Sequence, residues 1–313
     1  MLPAAGLALM LGTALAAPAQ SQPPSEVFPG IASAVVHHYD FEHPVAGDAA
    51  KEQDLGRTGS STPIQLINGG AAMRTADGAF PGSKTSMQLK QVRPNNKSND
   101  DWKAGVYDSK GVSSMKAFNK VRGLSIMTWI KVTGEAPARN SNSSGTGDFY
   151  GAIGFAGVLS GDSDGHAARA LLETENDKGA MRLIALARRV DGSDKQYFLS
   201  NADWKTLVPP NKWVFIAGTF DFDTGAIGLY VDGKPVDGYF AVKGDPWKIV
   251  GPPEPDFSSA TNPRGIKIGG SHPQNNRETN ACNCRMDGLM FLDRAATADE
   301  VRGQYEWVTK QPR

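Results

Sequence analysis

Residues Lys212 to Val236, KWVFIAGTFDFDTGAIGLYVDGKPV, limit the folds open to this chain more than any other stretch. In an extended backbone Trp213, Phe215, Ala217 and Thr219 share one side and Val214, Ile216, Gly218 and Phe220 the other, which predicts a strand buried on both faces. Asp221 to Gly225 supplies turn chemistry, and Ala226 to Val231 returns as a second strand with Ile227, Leu229 and Val231 on one face. Asp232-Gly233 then suits a two-residue hairpin turn. A hairpin alone cannot bury strands of this kind, so the rest of the chain must supply sheet packed on sheet.

The composition agrees with that demand. Among 313 residues, 35 glycines and 20 prolines without a long helical period suit many short strands joined by turns in one large β domain. Lys and Arg number 33 against 33 Asp and Glu, so the electrostatic footprint of a nucleic-acid or anionic-membrane binder is missing. Leu2 to Leu15 is apolar and alanine-rich, and Ala14-Leu15-Ala16 and Ala17-Pro18-Ala19 are small-x-small cleavage patterns, although no Lys or Arg precedes the run. We read residues 1–19 as a signal peptide, 20–32 as a flexible segment and 33–313 as the domain of a secreted, periplasmic or cell-surface protein. No later run approaches the ~20 apolar residues of a membrane helix.

The two cysteines, Cys282 and Cys284, flank Asn283. Export favours pairing, yet two positions along an extended strand lie near the ~6.8 Å limit of Cα separation, so a disulfide needs a turn at Asn283. A zinc site has less to build on, since the nearest histidine, His272, is distant and no second cysteine pair exists.

Strands are predicted at Val35–Phe41, Ile64–Ile67, Ser86–Leu89, Gly123–Val132, Phe149–Leu159, Ala170–Thr174, Met181–Arg189, Ile266–Ile268 and Met286–Phe291, with Gln196–Leu199 a short edge. His37 and His38, adjacent on a strand, point to opposite faces and suit no common metal. Gly134 to Gly147 reads as an exposed excursion, and Thr297 with Glu300 forms a capping box that opens a closing helix.

In order, Leu124–Lys131, Lys212–Phe220, Leu229–Val236, Ile266–Gly270, Met286–Arg294 and Ala298–Val301 resemble the laminin-G-like jelly-roll domain of the concanavalin A-like lectin/glucanase superfamily. The resemblance implies an all-β, two-sheet antiparallel jelly-roll sandwich with a short C-terminal helix. It also implies a mostly non-catalytic family that binds sugars or proteins, often with a structural calcium ion. The family's carboxylate positions map to Glu42, Asp54 and Asp287, with Gly288 where a second Asp is frequent. Gly161 to His166 resembles the start of a calcium loop but lacks its remainder.

Enzymes of the superfamily carry carboxylates at i and i+2 on one strand. Glu173 and Glu175 are the only close glutamate pair that fits, though the residues between and around them depart from the hydrolase motif. Lys103 to Asp108 is similar to a segment of jelly-roll alginate lyases, without its companion motifs. For ligand stacking, Trp102, Tyr107, Tyr150, Trp204 and Trp247 lie in or beside loops, and His272, Asn276 and Arg277 sit in a polar loop that can line a rim. The expectation is a non-catalytic module for carbohydrate, with a polysaccharide hydrolase or lyase, or a structural protein with an extracellular protein partner, as alternatives.

Overall fold

A computed structural model describes residues 26–57, 63–66, 72–91, 104–108, 121–138, 152–159, 168–188, 195–242, 244, 264–269 and 281–310. The predicted hairpin lies in an eight-stranded antiparallel sheet. Numbered in chain order, its strands lie side by side as β15 (Lys234–Pro235), β14 (Ile227–Val231), β13 (Val214–Asp221), β8 (Gly123–Val132), β18 (Cys284–Leu292), β6 (Ser86–Leu89) and β5 (Ala72–Thr75), and β1 (Val35–Tyr39) also pairs with β18. A ten-stranded antiparallel sheet faces it, in the order β16 (Gly238–Phe240), β12 (Lys195–Asp203), β11 (Ala180–Arg188), β10 (Ala168–Asp177), β9 (Ala152–Leu159), β17 (Arg264–Ile268), β7 (Ala104–Asp108), β4 (Ile64–Gln65), β3 (Asp48–Glu52) and β2 (Pro44–Val45). Two α-helices, α1 (Trp204–Leu207) and α2 (Ala298–Thr309), and a 3-10 turn at Ala32–Ala34 are the helical elements of the described residues.

Strand periodicity distributes the side chains over two cores. Leu124, Ile126 and Ile130 of β8 and Val214, Ile216 and Phe220 of β13 point inward onto Phe155, Leu172 and Leu183 of the opposite sheet. Met127, Trp129, Phe215 and Ala217 point outward and are buried by Val301 and Val308 of α2 and by Ile31. The outer face of the eight-stranded sheet is therefore covered, which is why β13 is buried on both sides as its sequence requires. Phe28 fastens the segment before β1 to α2: its N–H donates to Gln304 Oε1 at 2.8 Å, and a Cβ on Gly303 would meet its ring at 2.8 Å. The capping box of α2 is present, and Glu300 also takes a two-pronged contact from Arg294.

The turn chemistry reads through. Asp232 and Gly233 have φ of 49° and 73°, the left-handed pair that a two-residue hairpin needs. Asp232 Oδ1 also accepts from Phe215 N, fastening the turn to β13. Asn283 supplies the bend that brings Cys282 and Cys284 to a Cα separation of 5.1 Å, and the two are disulfide-bonded and buried.

The register corrects the expectation for Gln196–Leu199. Strand β12 runs from Lys195 to Asp203 and is internal, because Phe198, Leu199 and Ser200 pair with Phe240, Tyr239 and Gly238 of β16. The polar spacing of Ser200, Asn201 and Asp203 hid its second half, since those residues face partners that few hydrophobic side chains announce. The proposed leader, residues 1–19, and the excursion at 139–147 fall outside the described residues. No helix among the described residues is long and apolar enough to cross a membrane.

Candidate functional site

The outer face of the ten-stranded sheet, unlike that of its partner, is crossed by no described helix, and its side chains mix apolar, aromatic and charged groups. Along β10, Leu172 turns inward while Leu171, Glu173, Glu175 and Asp177 take the outward positions. Leu171 packs with Ile184 and Leu186 of β11 and Leu199 of β12, and Tyr197 and Tyr239 lie against this floor. In register, Glu173 sits between Gly154 and Ile184, and Glu175 between Ala152 and Arg182. Small residues on β9 thus flank both glutamates.

Polar groups edge the apolar floor. Tyr239 Oη donates to Asp177 Oδ2 at 2.5 Å, and that bond, with burial behind it, pushes the phenol above its usual pKa. Arg182 donates through Nη1 to Asn201 O, while its Nε is buried with no partner among the described residues. Glu173 is 8% exposed and Glu175 half-buried. The predicted pair therefore shares one face, at the spacing of about 6.6 Å that two strand residues span. The aliphatic floor is itself buried, and it is the half-buried Tyr197, Tyr239, Glu175, Asp177 and Arg182 above it that can offer ring faces, donors and acceptors to a sugar.

The other predicted ligand contacts divide. Trp204 is 1% exposed and belongs to the core between the sheets, which corrects its reading as a rim aromatic: the Asp203 cap starts α1 and turns the indole inward. Tyr107 lies in β7 with its backbone paired to Gly265. Trp102, Tyr150, Trp247, His272, Asn276 and Arg277 lie outside the described residues. Tyr197, Tyr239 and Arg182 are not picked out by the sequence; the alternation of Tyr197 and Leu199 is the available signal, and it is too short to mark β12 as an internal strand.

The calcium candidates separate into three environments. Asp54 is buried beside β1, where Oδ2 lies 2.6 Å from His37 Nδ1 and Oδ1 accepts from the His38 and Gly56 amides. Glu42 Oε1 accepts from the Lys84 and Thr85 amides. Asp287 Oδ2 accepts from Ala79 N and Ser83 Oγ at 2.8 and 2.7 Å, whereas Oδ1 is buried without a hydrogen-bond partner among the described residues. As a set the three do not fit one ion, because backbone N–H donors already point at Asp54 and Glu42 and the His37 ring lies against Asp54. Asp287 alone presents an unsatisfied oxygen. Gly288 has φ of 53° and sits in the bulge where β18 changes partner from β6 to β1, so a left-handed backbone accounts for glycine there.

With two facing sheets, a covered outer face and the signature strands in their expected places, the comparison with known families is decisive. The chain belongs to the concanavalin A-like lectin/glucanase superfamily. The model of that family matches residues 104–302. A search of curated proteins by sequence gives no match. Among solved structures, a Trypanosoma rangeli sialidase in complex with 2,3-difluorosialic acid aligns over 89% of this chain and 34% of its own, with a TM-score of 0.53 and 12% identity. The binding domain of a botulinum neurotoxin DC aligns over 89% and 52%, at 0.53 and 11%. The binding domain of Paraclostridial Mosquitocidal Protein 1 aligns over 88% and 52%, at 0.50 and 13%. This superfamily member thus spans a third to a half of those chains, and at such identities the likeness is one of fold.

Proposed function

We propose that this protein is an exported, non-catalytic recognition module whose ligand is a carbohydrate held on the outer face of the ten-stranded sheet. The observation that carries the reading is the half-buried pair Tyr197 and Tyr239, seated on a buried floor of Leu171, Ile184, Leu186 and Leu199 and bordered by Glu175, Asp177 and Arg182. An apolar and aromatic surface bordered by donors and acceptors is what a sugar demands, since its ring faces are apolar and its edges carry hydroxyls. Membership of the superfamily and the likeness to domains titled as binding domains support it.

A second reading has one observation in its favour. Glu173 and Glu175 occupy successive outward positions on one strand, the arrangement a retaining glycosidase needs for its two carboxyl groups. The two readings differ in turnover. Binding to a glycan array, run beside assays for reducing ends and unsaturated products on mixed polysaccharides, tests both. Retention without product supports the module; product release abolished by Glu173→Gln or Glu175→Gln would replace it with the enzyme. Silence in all arms would move the proposal to a protein partner.

A further inference from the structure

Away from that face, the first turn of the domain gathers a mixed set of donor groups. Phe41 has φ of 59°, and this left-handed step after β1 folds the chain back so that Asp40 and His43 meet. Asp40 Oδ2 lies 2.7 Å from His43 Nδ1, and its Oδ1 accepts from Glu42 N at 3.0 Å. Glu52, at the end of β3 in the other sheet, accepts the His43 amide on Oε1 at 2.8 Å. Arg74 from β5 donates to Glu52 Oε2 through Nε at 2.9 Å and through Nη2. One ligand atom each from Asp40, His43 and Glu52 lie within 4.8 Å of one another. The Asp40 and Glu52 side chains are 6% and 0% exposed, whereas that of His43 is 53% exposed.

Charge and lone pairs both leave room here. Two buried carboxylates face one guanidinium, so one negative charge has no fixed counterpart, and a buried charge in that position is costly. Four lone-pair sites per carboxylate exceed the donors present: Asp40 uses two of its four and Glu52 three. His43 contributes the only nitrogen, and it is reachable from solvent.

We propose that Asp40, His43 and Glu52 bind one divalent transition ion of the Zn²⁺ type. Two carboxylate oxygens and an imidazole nitrogen converging on one point are a donor set suited to such ions, while Ca²⁺ prefers six to eight oxygens. The ion replaces the proton shared between His43 Nδ1 and Asp40 Oδ2, which leaves to solvent, and Arg74 and the Glu42 amide remain as the outer contacts that orient the carboxylates. Its position joins the end of β1 in one sheet to β3 in the other, so occupancy staples the two sheets at this edge.

The test is calorimetric titration of the full chain with ZnCl₂ in a non-chelating buffer, with Tm read by circular dichroism. The wild type should take up one ion per chain, and its Tm should rise by about 5 °C at a concentration a hundred times Kd. His43→Ala removes a half-exposed imidazole together with its bond to the buried Asp40, so its metal-free Tm should fall by a few degrees, and its Tm should be the same with and without zinc. Asp40→Asn should weaken uptake at least about tenfold. Equal zinc uptake by the wild type and His43→Ala, or no uptake by the wild type at millimolar zinc, would overturn the assignment.

Discussion

Asp287→Asn isolates a buried carboxyl with one oxygen that has no hydrogen-bond partner among the described residues. Burial pushes the Asp287 carboxyl up to about 8, against the pull of Ser83 and the Ala79 amide, and the charge of Glu26 adds to the rise. An unfolded chain releases that proton near pH 4, so between pH 4 and 8 the native state binds more protons than the unfolded one and stability falls as pH rises. The slope is about 1.4 kcal/mol per pH unit, which amounts to roughly 3 kcal/mol between pH 5 and pH 7. Asparagine keeps an oxygen for Ala79 and Ser83 and has no proton to lose. Urea midpoints of the wild type and Asp287→Asn, measured in chelator from pH 5 to 8, should therefore diverge in the variant's favour as pH rises. Parallel pH profiles for the two proteins would refute the reasoning.

Arg74→Met strands a fully buried Glu52 and should cost about 3–5 kcal/mol by urea denaturation, most of it recovered in the double variant with Glu52→Gln. Gly56→Ala places a Cβ 2.5 Å from Val36 O and 2.6 Å from His37 Cα, so it should lower the Tm by several degrees, whereas Gly47→Ala meets open space and should cost only the strain of its positive φ. Arg294 chiefly holds Glu300 down to about 2, so the contribution of this pair and its capping box is present above pH 4.5 and lost as pH falls toward 2. Thr297→Ala, which removes the cap, should cost about 1 kcal/mol at pH 7.

The hairpin, its two turns and the capping box could be read from sequence because each depends on local chemistry: alternation of apolar residues, left-handed backbone at Asp232-Gly233, and a Thr three residues before a Glu. The bend that pairs Cys282 with Cys284 was one of two open outcomes, decided by how Asn283 seats its side chain against Glu135 O and Gln91 N across the sheet. Long-range register was less accessible. Strand β12 gains its length from β16, a partner some forty residues later, and Tyr239 reaches the candidate face only through that pairing. The shared face of Glu173 and Glu175 followed from period-two alternation, but Arg182 beside them did not, because a register across two strands places it there. Trp204 failed for a related reason: residue type suggested a rim, and the short helix that turns it inward is specified by a single capping aspartate.

The central claim is recognition without turnover on the outer face of the ten-stranded sheet, and one comparison addresses it directly. Retention of the array-selected glycan is measured for the wild type, Tyr239→Ala and Glu175→Gln, with Met73→Ala, an exposed substitution on the other sheet, as the control. The account predicts that retention falls at least about tenfold in the first two variants and is unchanged in Met73→Ala, with no product in any sample. Undiminished retention in both Tyr239→Ala and Glu175→Gln, or product formation by the wild type, would contradict it.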